Sequence, residues 1–168
     1  TYVLNGRDVA SMDDDTVSSV RGRQVGFIFQ SFNLIPELTI VENVEVPLFY
    51  QDVGRSSRQA AAIEQLELVG LGDRLDHRPS ELSGGQQQRA AVARALVTRP
   101  AMLLADEPTG NLDSSTGADL LELLDTLHDE GLTIIVVTHD QNIASRCQRV
   151  LHLADGQIDR DEMRNGHG

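Results

Sequence analysis

The apolar run Met102-Leu103-Leu104-Ala105 ends on two adjacent carboxylates, Asp106 and Glu107. If that run is a strand, its C-terminal end is the edge where open α/β sheets bind their ligands, and neighbouring side chains there point to opposite sides. Asp106 would suit a hard cation that shares phosphate oxygens. Glu107 would suit a base that holds and deprotonates a water in line with a γ-phosphate. Taken alone, the pair can also be read as the acidic start of a helix after a strand. A second stretch, Leu82-Ser83-Gly84-Gly85-Gln86-Gln87-Gln88-Arg89, places a hydroxyl and two residues without side chains before a helical pattern carried by Ala90, Val92, Ala93 and Leu96. Glycines admit close backbone approach, and free N–H groups with the helix dipole favour a phosphate, so this is an anion site in outline. As bare chemistry it is also an ordinary helix cap.

Residues of this kind have to be placed by alternating strands and helices. Gln24 to Phe29, Ala101 to Ala105, Leu132 to Val137 and Arg149 to Leu153 are short apolar runs with polar or turn residues on either side. The pattern predicts strands buried on both faces in a mainly parallel sheet. Ser114 to Glu130 carries leucines at helical spacing and stops at Gly131, which gives a strand-helix-strand crossover. From about Glu37 to Val97 the helical patterns Thr39 to Tyr50, Arg55 to Val69 and Gly85 to Val97 follow one another with no strand between them, so this part reads as a helical subdomain inserted in one α/β domain spanning residues 1–168. The polar tail from Asp159 to Gly168 has nothing to bury and is expected to fray.

The 168 residues suffice to close one core, and they carry a net charge of −12 with every basic residue an arginine. Such a surface repels phosphate backbones and disfavours sequence-independent nucleic-acid binding. High-salt adaptation and the codon bias of a GC-rich genome explain the lysine-free balance equally well. No apolar run is long enough to span a bilayer, and Thr1 to Asp8 lacks the pattern of a secretory signal. The lone Cys147 forms no internal disulfide and reads as an inert thiol.

Leu82-Ser83-Gly84-Gly85-Gln86 is similar to the signature motif of ATP-binding-cassette (ABC) ATPases, and Asp106-Glu107-Pro108-Thr109-Gly110-Asn111-Leu112-Asp113 resembles their Walker B strand running into the D-loop. Gln30 after Phe29 matches the Q-loop glutamine, and His139 after Val136-Val137-Thr138 matches the H-loop histidine. The resemblance implies a P-loop NTPase (RecA-like) fold with an inserted α-helical subdomain, and ATP with Mg²⁺ as ligands. It implies that Asp106 and Gln30 serve the metal, that Glu107 is the general base, that Gln30 also senses the attacking water, and that His139 contacts the γ-phosphate. Ser83, Gly84, Gly85 and Gln86 would bind the nucleotide held by the other subunit of a head-to-tail homodimer, with Asp113 across the interface. Phe32 to Pro36 and Leu38 to Leu48 resemble the branch that includes macrolide-export and lipoprotein-release ATPases. Such a subunit would hydrolyse ATP to drive transport through ABC permease subunits, at the cytoplasmic face of the membrane. Phe32, Leu34, Ile35 and Leu38 would then be partly exposed apolar contacts for the permease, while the same side chains also read as completing the core of the helical insertion.

A chain without lysine holds no G-x-x-x-x-G-K-[ST], so the loop that cradles the β- and γ-phosphates is missing from this sequence. Thr1 to Gly6 resembles the family segment that follows the P-loop helix. The expectation is a fragment, incomplete at its N-terminus by one or two βα units, which does not hydrolyse ATP by itself. Two other readings are a non-catalytic regulatory subunit and an ABC-type ATPase acting on nucleic acid or the ribosome. The latter should carry coiled-coil insertions or a basic arm, and neither is visible here.

Overall fold

A computed structural model describes Val3, Leu4 and residues 6–163. The chain reads as one domain in sequence, whereas its contacts fall into two compact units, Thr1–Val137 and Thr138–Gly168.

In the first unit, strands β1 (Val3–Leu4) and β2 (Arg7–Asp8) form a short antiparallel pair, followed by helix α1 (Asp14–Gln24). Helix α1 has no apolar stripe beyond Val17 and Val20. Its start is set locally by the Asp13 carboxylate, which accepts from the Thr16 N–H at 2.7 Å. A three-stranded parallel sheet follows, made of β3 (Val25–Phe29), β4 (Met102–Asp106) and β5 (Thr133–Val137), with β4 in the centre. Between β3 and β4 lie only helices: α2 (Ile40–Phe49), α3 (Arg55–Leu68) and α4 (Gly84–Leu96). Helix α5 (Ser114–Asp129) makes the crossover from β4 to β5.

One face of the sheet is the core. Ile28, Leu103 and Ala105 are buried with Val92 and Leu96 of α4 and Leu120, Leu124 and Leu127 of α5. Helices α2 and α3 add Ile40, Val44, Ala62 and Leu66, all at 0% exposure. The other face corrects the expectation of strands buried on both sides. Phe29, Ile135 and Val137 are 38%, 45% and 61% exposed. In-register pairing of Phe27 with Leu104 and Ile135, and of Phe29 with Asp106 and Val137, puts these residues on one side of the sheet, because alternate residues share a face.

In the second unit, α6 (Gln141–Arg146) starts at Asp140, whose carboxylate accepts from the Asn142 N–H at 2.8 Å. Strands β6 (Arg149–Ala154) and β7 (Gln157–Met163) then form an antiparallel hairpin around Asp155-Gly156, both with positive φ. This corrects two expectations. The run from Arg149 pairs with β7 and does not extend the parallel sheet, and its Leu151 and Leu153 are 45% and 71% exposed. The tail expected to fray from Asp159 is strand through Met163, held in part by Arg149, which donates two hydrogen bonds to Asp161 at 2.9 and 2.7 Å; residues 164–168 lie outside the described part.

Candidate functional site

Register alone brings three of the singled-out residues to one edge. Phe29, Asp106 and Val137 pair across the sheet, so Gln30 and Glu107 leave adjacent strands at the same level. Asp106 is exposed, and Glu107 is half-buried with φ 43, a left-handed backbone uncommon for a residue with a side chain. That turn is held from both sides. The Glu107 N–H donates to the Val137 carbonyl at 2.9 Å, and the Glu107 carbonyl accepts from the Gly110 N–H at 3.0 Å.

Gln30 is tied to the loop after the carboxylates. Asn111 Nδ2 donates to the Gln30 carbonyl at 2.9 Å, and Gln30 Nε2 reaches Asn111 Oδ1 at 3.5 Å. A Cβ at Gly110 would stand 2.5 Å from Gln30 Nε2, so a side chain there would displace the Gln30 amide.

Ser83 caps α4. Its hydroxyl oxygen accepts from the Gln86 N–H at 3.3 Å while Gln86 Oε1 accepts from the Ser83 N–H at 3.0 Å, a reciprocal capping box that occupies the Gln86 side chain. The Ser83 O–H proton is left over for another acceptor. The two glycines serve packing inside the chain as well. A Cβ on Gly85 would lie 2.1 Å from Thr116 Cγ2, and one on Gly84 would touch Leu112 and Phe32 at 3.7 Å. The serine-glycine turn therefore sits against the segment that follows the carboxylates.

Asp113 caps α5. Its Oδ1 accepts from the Ser115 N–H at 3.1 Å, the Thr116 N–H at 3.0 Å and the Ser115 hydroxyl at 2.6 Å, and its Oδ2 accepts from the Thr116 hydroxyl at 2.6 Å. These bonds, those from the Ser115 and Thr116 side chains first, hold its carboxyl well below the usual carboxylate range. His139 belongs to the second unit, is exposed, and lies two residues past the end of β5; beside it the Asp140 N–H donates to the Thr138 hydroxyl at 3.0 Å.

Three side chains that hold this arrangement escape a reading for motifs. Gln88, at 0% exposure, donates from Nε2 to the carbonyls of Phe29 at 3.3 Å and Pro108 at 2.6 Å. Arg94 donates to the carbonyls of Phe32, at 2.8 Å, and Asn33, two residues with positive φ, and burial pushes its guanidinium pKa down. Asn43, also at 0% exposure, accepts from the Ile35 N–H at 2.7 Å and donates to the carbonyls of Ile35, Leu38 and Thr39 at 3.1, 3.2 and 2.9 Å. The signal for Gln88 was present in the sequence: it shares a stripe with Ala91, Val92 and Ala95, where a polar residue implies a buried partner.

Beyond Asn43 lies a groove of about 560 Å³ between α2, α3 and the loop before α2. Ile35, Leu38, Val46, Phe49 and Tyr50 line it, together with Glu42, Glu45, Arg55, Arg58 and Asp76. Arg58 braces one wall, donating to Glu45 at 2.7 Å and lying over the Phe49 ring at 5.4 Å. Of the four apolar residues expected to be partly exposed, Ile35 and Leu38 line the groove, and Leu34 is half-buried against the core. The Phe32 ring is half-buried beside the Gly84 turn.

Residues 2–110 match the ABC transporter family. The chain is 51% identical, over 96% of its length, to an uncharacterised ABC transporter ATP-binding protein of Thermotoga maritima, of which it spans 69%. It is 50% identical to the macrolide export ATP-binding/permease protein of Brucella melitensis over 94% of this chain but only 24% of that protein. Among solved structures, a dimeric ATP-binding cassette in a post-hydrolysis state with ADP and Pi superposes with a TM-score of 0.82 and 42% identity, covering 98% of this chain and 73% of the other.

Proposed function

Since this chain belongs to the ABC transporter family as an ATP-binding cassette, we propose that the full-length protein hydrolyses MgATP in a head-to-tail homodimer to drive transport through permease subunits at the cytoplasmic face of a membrane. The observation that carries the reading is the in-register edge where Gln30, Asp106 and Glu107 emerge together, fastened by Asn111. In the relative's structure an analogous fold is dimeric and holds ADP and Pi.

Each residue has a task that fits its surroundings. Among the described residues no three His, Cys, Asp or Glu side chains converge as a metal cage, and Asp106 with the Gln30 amide offers hard oxygen donors that suit a Mg²⁺ completed by phosphate oxygens. When bound, the ion neutralises charge that builds on the phosphates. Glu107, fixed by its turn, takes the proton of the attacking water, and Gln30 orients that water. The spare Ser83 proton and the N–H groups at the start of α4, including those of Gly84, Gly85 and Gln86, would bind the γ-phosphate of the nucleotide on the partner subunit, and His139 would donate to the γ-phosphate of its own. Asp113, its carboxylate occupied by Ser115 and Thr116, holds the start of α5 at the dimer interface. The apolar groove around Ile35 and Phe49 supports a permease contact, and no described helix is long and apolar enough to cross a membrane.

The test is Glu107→Gln in the full-length protein. The amide keeps the shape but cannot take the proton, so single-turnover hydrolysis should fall at least about a hundredfold while ATP binding persists and an ATP-dependent dimer accumulates on sizing chromatography. Hydrolysis within a few-fold of the parent removes Glu107 from the role of base.

A further inference from the structure

Gln88 lies inside α4, on the turn after Ser83 and Gly85, with none of its surface exposed. Its amide nitrogen has two protons, and the two carbonyls it meets are those of Phe29, the residue before Gln30, and Pro108, the residue after Glu107. The orientation of the amide is fixed by this pairing, because a reversed amide would set its oxygen against two carbonyl oxygens. Oε1 is left buried without a hydrogen-bond partner, an arrangement that costs stability and persists here where the nitrogen bonds hold it. A leucine or methionine would fill the same position on the stripe without that cost.

We propose that Gln88 is a positioning residue for hydrolysis: through one amide it holds the Gln30 strand end and the Glu107 turn at a fixed separation, and links both to the helix that begins at the Ser83 turn. Neither carbonyl has another tie of this kind to α4 among the hydrogen bonds of the described residues. Gln88 touches neither substrate nor the reacting atoms. It acts through Gln30 and Glu107, so the inference rests on the roles given to those two residues above.

Gln88→Met in the full-length protein keeps the length and removes both donors. The expected result is a turnover number about tenfold lower or less, with nucleotide affinity within about twofold of the parent. In the nucleotide-free protein, hydrogen exchange should quicken at the Phe32 and Gly110 amides, which close the two turns, while the amides of α5 keep the parent rate. Gln88→Glu supplies a pH signature. Its protonated form donates one hydrogen bond and its ionised form sets negative charge against two carbonyls, so its turnover relative to the parent should rise as pH falls, and that of Gln88→Met should not. Parent-like turnover with unchanged exchange at both turns overturns the proposal, as does an equal loss of affinity and turnover. If Gln88→Met does not fold, the parent decides: both Gln88 side-chain amide protons should exchange far more slowly than those of exposed Gln59, and equal rates overturn the proposal. A Glu107→Gln protein that still hydrolyses would sink the assignment of the base, while the exchange measurement would still stand or fall on Gln88 alone.

Discussion

The Asp113 carboxylate accepts four hydrogen bonds from Ser115 and Thr116, and all four favour its ionised form. Its pKa is therefore depressed in the folded protein. A depressed carboxyl contributes stability that is fully present above the unfolded aspartate value, about 3.9, and is lost as pH falls through the folded value. Over the neutral range the cap is constant. Carboxyl ¹³C titration should find Asp113 ionised below the usual aspartate range, and Ser115→Ala, which removes the largest cause, should move its midpoint up; an unmoved midpoint would place the cause elsewhere. Glu107 makes a different residue-scale point. Its type was legible as a base because it follows an apolar run, but its left-handed backbone was not, since that comes from bonds to Val137 and Gly110.

Helices α4 and α5 meet where Gly85 faces Thr116, and the sequence leaves open whether Ser83-Gly84-Gly85 is a ligand turn or a cap. Locally it is a cap, with the hydroxyl and Gln86 exchanging bonds across three residues. At the level of the helix pair it is also a close approach. A Gly85 Cβ would meet Thr116 Cγ2 at 2.1 Å, and Thr116 cannot easily rotate away because its hydroxyl is bonded to Asp113. Gly85→Ala should therefore cost about 1–3 kcal/mol by overpacking. Adding Thr116→Ser removes the offending methyl and keeps the hydroxyl, so the double variant should regain most of the loss in thermal or urea unfolding. No recovery would show that Gly85 is required for something other than this contact.

At the scale of the whole molecule, the groove between α2 and α3 is where the proposed permease contact would sit. Ile35, Phe49 and Tyr50, 39%, 58% and 81% exposed, are its most accessible apolar members, whereas Leu34 is half-buried against the core. Ile35→Asp with Phe49→Asp in the full-length protein should release the ATPase from its permease in membrane sedimentation. The variant should stay folded, as judged by a retained cooperative thermal transition. Leu34→Asp should instead lower the thermal transition, because it sets a carboxylate against the core. Retention of the double variant on the membrane would place the permease contact elsewhere.

What the sequence determined by itself is what local rules can carry. Helix starts were legible at Thr39, Ser83 and Asp113, because a cap bonds an N–H two or three residues ahead; the carboxylates were legible because they sit where an apolar run ends, and Gln30 only through its match to the family motif. The strands were legible as apolar runs, but not their partners: β6 pairs with β7 rather than joining the parallel sheet, and one sheet face stays partly open at Phe29, Ile135 and Val137. The bonds that turn separate motifs into one edge were decided only in three dimensions. Gln88 reaches carbonyls 59 and 20 positions away, and Arg94 one 62 positions away. A periodic pattern records which face of an element is apolar, but not which distant carbonyl a polar residue on that face will meet; packing selects that partner because a buried donor left unpaired is costly.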